Sequence, residues 1–264
     1  NIGKKLVEDQ SVDYISFTGS TKVGMEIRKI AGMRGTTLEL GGLGPNIVTE
    51  DADIKKVSKM CALNGMRLSG QSCVSVQNLF VHESIIEEFT ESISENIDNL
   101  KVGNPLDPEM DLGPMISEKE SIRIESWISE AVQNGATLIT GGVRNGAIIS
   151  PALLSDVTQD MKVVCEEVFG PVISMRKYKD INEPINWVNE SSFGLNCGLF
   201  TDSNSLVFEV ARKMSCGGLI INGTSTFRPD QIPYGGLHSS GIGREGPSRA
   251  VNDMTEERLL IFNN

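Results

Sequence analysis

Apolar positions along the chain alternate between two rhythms. Short apolar and β-branched runs occupy Val12 to Phe17, Gly35 to Leu40, Asn78 to His82, Thr137 to Thr140, Val172 to Tyr178 and Gly218 to Asn222, and each predicts a strand. Between them lie segments whose mainly apolar residues recur three or four apart: Val23, Ile27 and Ile30; Val57, Met60, Cys61, Asn64 and Leu68; Leu206, Val207, Val210, Ala211 and Met214. That spacing puts one apolar face on a helix. Residues 2–8 read as the end of a further amphipathic helix. Ser84 with Glu87, and Ser117 with Glu120, have capping-box spacing before the apolar faces Ile85, Phe89, Ile93, Ile97 and Ile124, Trp127, Ile128, Ala131. Strands alternating with helices predict an α/β fold with an open, largely parallel sheet covered on both faces.

Two Gly- and Pro-rich stretches interrupt the rhythm. Residues 102–114 predict a long structured loop, and residues 224–246 an ordered loop of the length that usually carries function. After it, Arg258 to Phe262 reads as a terminal strand that needs a partner sheet, such as one from a neighbouring subunit.

Composition narrows the partners. The 264 residues, 39% hydrophobic and 22% charged, suffice for a large core, and the net charge of −11 argues against nucleic acid and against an anionic membrane surface. A small anionic ligand stays compatible, because one Arg or helix N-terminus overrides the mean field locally. The five cysteines (Cys61, Cys73, Cys165, Cys197, Cys216) are scattered without metal-ligand spacing, so no metal site and no disulfide framework is expected. Reduced thiols point to a cytoplasmic protein. No run of 18 apolar residues predicts a membrane span. The chain opens without an initiator Met, in what reads as mid-helix, and is expected to be a piece of a longer polypeptide.

Three places carry candidate chemistry. Cys73 sits in Ser69-Gly70-Gln71-Ser72-Cys73, between a helix and a strand, where a turn can present its thiol to a cleft; a lone Cys is also often just a small buried hydrophobe. Glu39 ends a strand between Leu38 and Leu40, ahead of Gly41 and Gly42. Desolvation there raises its pKa toward what a general base needs, whereas pairing with Lys or Arg makes it a structural residue. Thr18-Gly19-Ser20-Thr21-Lys22-Val23-Gly24 links strand to helix, either as a phosphate cradle or as an ordinary βα connection capped by Ser20.

Together with Glu166-Glu167-Val168-Phe169-Gly170-Pro171, Pro233-Tyr234-Gly235-Gly236 and Ser240 through Gly246, these motifs resemble the aldehyde dehydrogenase superfamily in order and spacing over nearly the whole chain. The resemblance implies an aldehyde dehydrogenase-like catalytic domain in residues 41–246, part of a Rossmann-like cofactor domain in residues 1–40, and a tail with an oligomerisation strand in residues 247–264. It implies oxidation of a small aldehyde to the acid with NAD or NADP, Cys73 forming a thiohemiacetal and then a thioester that Glu39 hydrolyses by activating water. By the same resemblance Gly19 and Ser20 lie under the pyrophosphate, Val23 near the adenine, Leu40 among the cofactor contacts, Glu167 on the nicotinamide ribose and Phe169 against the nicotinamide. Ser72 belongs with the substrate contacts, and a homodimer or homotetramer is expected. Retention of Glu39 favours hydrolysis over acyl transfer to coenzyme A; a catalytically silent relative with a structural or binding role is the other alternative.

Arg228 stands in the loop that helps line the substrate funnel of this family. There it either favours an aldehyde bearing an anionic group or pairs with Asp230 and only shapes the loop. The sequence departs from the family at Leu43-Gly44-Pro45, around Gln77-Asn78 and at His238, without losing a catalytic group. It also lacks the upstream segment with the rest of the cofactor domain and an oxyanion-hole Asn, so the chain alone is expected to be weakly active or inactive.

Overall fold

In the computed structural model, which describes residues 2–263, the chain opens with α1 (Ile2–Glu8), β1 (Tyr14–Thr18), α2 (Thr21–Ala31) and β2 (Gly35–Glu39). It continues through β3 (Pro45–Val48), α3 (Ile54–Met66), β4 (Asn78–His82), α4 (Ile86–Asp98), α5 (Glu118–Gln133) and β5 (Thr137–Thr140). Next come β6 (Arg144–Asn145), β7 (Ile148–Ile149), β8 (Ala152–Ser155), α6 (Lys162–Cys165), β9 (Val172–Tyr178) and α7 (Asn182–Glu190). The last elements are β10 (Phe193–Gly194), β11 (Asn196–Phe200), α8 (Asn204–Lys213), β12 (Gly218–Ile221), β13 (Leu237–His238), β14 (Gly241–Ile242) and α9 (Pro247–Asp253). Residues 1 and 264, the outer ends of the expected cofactor segment and tail, lie outside the described residues.

Seven strands form the main sheet in the order β12-β11-β3-β4-β9-β8-β5, all neighbours parallel except the β5–β8 pair. Its two faces bury separate apolar layers. One gathers Phe80, Ile124, Leu154, Val164 and Leu199; the other gathers Val57, Cys61, Phe89, Ile93 and Ile173. A smaller sheet, β1-β2-β14, is closed by α2, which lays Ile27 and Ala31 on Ile15, Leu38 and Leu40. The long loop after β12 is therefore not structureless: β13 pairs with β10, and β14 pairs antiparallel with β2.

Three expectations change. The Ser84 capping box does not form, because the Ser84 hydroxyl bonds His82 Nδ1 at 2.7 Å and α4 starts only at Ile86. Ser117 does precede α5, but its side chain makes no cap, and Glu120 pairs with Arg123 at 2.7 Å instead. Arg258 to Phe262 forms no strand: this stretch has no ladder partner among the described residues, and Leu259, Leu260, Ile261 and Phe262 are exposed. An extended segment without a neighbouring strand has nothing to satisfy its backbone but water.

Candidate active site

The turn that carries Cys73 is strained and heavily braced. After α3 ends, Leu68 and Ser69 adopt φ of 55° and 54°, and Gly70 follows at 68°. Left-handed backbone costs a non-glycine residue about 1–2 kcal/mol, so the surroundings must impose it. Ser69 Oγ donates to the Gly113 carbonyl at 2.7 Å, and the Ile116 amide donates to Gln71 Oε1 at 2.9 Å. A Cβ on Gly70 would lie 2.0 Å from the Gly170 carbonyl oxygen, so only glycine lets these two segments meet. Ser72 closes the turn, its Oγ accepting from the Val74 amide at 3.5 Å, while Ser225 Oγ donates to the Val74 carbonyl at 2.8 Å. The half-buried Cys73 places its sulfur 3.5 Å from Tyr234 Oη.

Glu39 ends β2 between Thr18 of β1 and Gly241 of β14. It is 4% exposed, and neither carboxylate oxygen has a hydrogen-bond partner among the described residues. Burial pushes its pKa up to about 8; the Glu245 carboxylate adds to the shift, and Arg228 and Arg244 oppose it. The carboxylate points at the Pro233-Tyr234-Gly235 turn, since a Cβ on Gly235 would lie 2.8 Å from Glu39 Oε1. Burial also raises the Cys73 thiol, opposed by the Tyr234 hydrogen bond and reinforced by Glu167 and Glu39. The thiol thus lies within reach of the charge of both carboxylates.

Glu167 approaches from the main sheet. Its Oε1 accepts from the Gly42 amide at 3.1 Å, and burial raises its pKa. The segment around it is fixed by two side chains whose roles the sequence did not reveal. Gln77 donates to the carbonyls of Val163 (3.2 Å) and Glu166 (2.8 Å) and accepts from the Val168 amide (3.0 Å). Asn78 ties the Leu43 carbonyl (3.0 Å) to that of Val164 (3.2 Å). Phe169 follows in left-handed backbone (φ 48°) and is 42% exposed.

The strand-to-helix turn lies against the same place. The Gly19 amide donates to the Glu39 carbonyl at 3.0 Å, and Ser20 caps α2 by accepting from the Val23 amide at 3.4 Å. Val23 is exposed, whereas the Leu40 side chain is buried beneath α2 against Gly24 and is not presented outward.

Arg228 does not pair with Asp230. Its guanidinium pairs with Glu245 and lies 4.2 Å over the Tyr234 ring. Asn196, Leu219, Ile220, Phe227, Arg228 and Tyr234 help line a cavity of about 280 Å³. A cleft of about 300 Å³ elsewhere, where Arg176 stacks on Phe80 and Trp187, contains none of these site residues.

A buried carboxylate, a thiol on a strained turn and a βα turn now stand together, each in the motif that the sequence singled out. A family model described as the aldehyde dehydrogenase family matches residues 1–260. The chain belongs to that family. A 3-sulfolactaldehyde dehydrogenase from Priestia aryabhattai is 44% identical over 262 residues, 99% of this chain and 55% of that protein. A lactaldehyde dehydrogenase from Methanococcus vannielii is 38% identical over 263 residues, 100% of this chain and 56% of that protein. Among solved structures, a glyceraldehyde-3-phosphate dehydrogenase from Methanocaldococcus jannaschii complexed with NADP superposes with a TM-score of 0.93 at 38% identity, covering 96% of this chain and 55% of that one. The chain thus spans just over half the length of these aldehyde dehydrogenase relatives.

Tyr234, Arg244, Glu245, Gln77 and Asn78 are the site residues that sequence reasoning left without a role. Tyr234, Arg244 and Glu245 stood in quoted motifs, but nothing local signals that a phenol meets a thiol 161 positions away.

Proposed function

We propose that this chain is the nucleophile-bearing part of an NAD(P)-dependent aldehyde dehydrogenase that oxidises a small aldehyde to its carboxylic acid. The observation that carries this reading is the Glu39 carboxylate, buried and without a hydrogen-bond partner, in the electrostatic reach of the Cys73 thiol. Leaving a buried carboxylate unpaired destabilises a fold, which makes a structural role the weaker explanation.

Cys73, as thiolate, attacks the aldehyde carbonyl carbon and forms a thiohemiacetal, whose oxyanion accepts a hydrogen bond from the Cys73 backbone N–H. The chemistry a bound nicotinamide supplies is acceptance of the hydride from that carbon. Glu39 takes a proton from water as the water attacks the resulting thioester, and the Cys73 thiolate departs as the acid forms. A carboxylate with a pKa of about 8 is matched to that task near neutral pH.

The residues fit a dinucleotide. Glu167 uses only Oε1 for the Gly42 amide, which leaves Oε2 for a ribose hydroxyl. The exposed Phe169 ring offers a face to the nicotinamide, and the α2 N-terminus behind Gly19 and Ser20 suits a pyrophosphate. Arg228 over a cavity supports an aldehyde carrying a negative group, in keeping with the sulfolactaldehyde and glyceraldehyde-3-phosphate dehydrogenases named above. The exposed Leu259, Leu260, Ile261 and Phe262 support assembly with further copies.

Iodoacetamide labelling with peptide mapping tests this. Cys73 should label ahead of Cys61, Cys165, Cys197 and Cys216, and a small aldehyde should protect it. Equal labelling of the thiols, or no protection by any aldehyde, would contradict the reading.

A further inference from the structure

The Tyr234 phenol is held more firmly than a pocket-lining ring requires. The residue is 8% exposed. Its backbone is clamped to Glu245 in both directions, Tyr234 N–H to the Glu245 carbonyl at 3.0 Å and Glu245 N–H to the Tyr234 carbonyl at 2.6 Å. Arg228 covers the ring face, and Arg228 is itself held by Glu245. Among the described residues the phenol oxygen has a single hydrogen-bond partner, the Cys73 sulfur at 3.5 Å.

The thiol needs such a partner. The two histidines do not serve it: His82 ends β4 bonded to Ser84, and the exposed His238 pairs through its backbone with Phe193. Glu39 and Glu167 both disfavour a second negative charge at the sulfur. Burial keeps the phenol itself protonated, so toward a thiolate it can only donate. A cation over the ring draws electron density from the oxygen and strengthens that donation.

We propose that Tyr234 is a third catalytic residue, whose phenolic O–H donates to the Cys73 sulfur and holds it as thiolate, with Arg228 as the positioning residue that fixes the ring. This rests on the reading of Cys73 as the nucleophile. The bond serves two stages of the cycle. It raises the thiolate fraction before attack, and it receives the same sulfur when the thioester breaks. Between these stages the sulfur is bonded to carbon and uncharged, and the phenol transfers no proton.

The test is the pH dependence of Cys73 alkylation by iodoacetamide in the unmodified protein, in Tyr234→Phe and in Arg228→Gln. Loss of one hydrogen bond to a charged sulfur should move the Tyr234→Phe midpoint up by about one to two pH units. Arg228→Gln should move it in the same direction by less. Cys61, fully buried, reports the fold in the same experiment. An unmoved midpoint in Tyr234→Phe, with Cys61 still protected, overturns the proposal while leaving the nucleophile in place. Should Tyr234→Phe expose Cys61, Arg228→Gln decides alone, and an unmoved midpoint there overturns it. A Cys73 that fails to label ahead of the other thiols in the unmodified protein removes the nucleophile itself, an outcome distinct from either.

Discussion

The Gly42 amide donates to Glu167 Oε1 at 3.1 Å, and the same glycine leaves no room for a side chain on its other flank. A Cβ there would lie 2.3 Å from the Cys73 carbonyl oxygen, a backbone atom that cannot swing aside. Gly42 is therefore the point where the Glu167 segment and the Cys73 turn are held in register. Gly42→Ala should destabilise the fold by about 1–3 kcal/mol, as overpacking does. It should also slow Cys73 alkylation selectively, leaving the other thiols as they were. Denaturant melts and peptide mapping check both.

Gln77 makes the complementary prediction. Gln77→Leu fills a similar volume but strips the Glu166 carbonyl and the Val168 N–H of their side-chain partners. The buried Val168 N–H left in that state should cost about 1–3 kcal/mol, and the half-buried Glu166 carbonyl less, read as a lower urea midpoint. Because the segment between them carries Glu167, NAD(P) binding by the active enzyme should weaken as well.

Glu39 sets a pH dependence whose sign follows from its raised pKa. In the unfolded chain the carboxyl ionises near its ordinary 4.5; in the fold it stays protonated until about 8. Its contribution to stability is thus complete below about 4.5, declines as pH rises through that window and is gone above about 8. Glu39→Gln, which does not ionise, should match the unmodified protein at pH 4.5 and exceed it in stability at pH 9. Thermal melts at the two pH values measure the difference. Catalysis runs the opposite way: the base form accumulates toward pH 8, so thioester hydrolysis should climb over the range where stability falls.

Arg228 separates substrates. Replacing it by Gln in the active enzyme should lower kcat/KM for a sulfonate- or phosphate-bearing aldehyde by roughly tenfold or more, the scale of one hydrogen bond to a charged group. A neutral short aldehyde should lose much less. Parallel steady-state measurements on the two substrates read the ratio directly.

Much of the site was legible because its residues sit in short motifs whose local geometry follows from residue type. Glycines after Glu39 and before Cys73 mark backbone that must approach other backbone, and the flanking apolar runs place Glu39 at a strand end and Cys73 between a helix and a strand. Most of the helices and the half-buried strands were equally readable from their periodicity. What escaped were strands too short and too buried to alternate: β3, which opens at Pro45, together with β8 and β11. The terminal run from Arg258 failed for the opposite reason, since apolar content alone does not supply a pairing partner. Long-range polar contacts were also invisible. Ser84 has the right spacing for a cap, but His82 takes its hydroxyl. Arg228 has Asp230 nearby in sequence, but Glu245 holds it in space.

The pairing of thiol and carboxylate is tested most directly by trapping the acyl-enzyme. An activated ester such as p-nitrophenyl acetate delivers an acyl group to a nucleophilic sulfur without any nicotinamide, so it isolates the two groups from the cofactor. With Glu39→Gln, one acetyl group should accumulate on the peptide carrying Cys73 and persist, while the unmodified protein loses it to water. Acetyl spread over the other thiols, or an acetyl-Cys73 that hydrolyses equally fast in both proteins, would contradict the account.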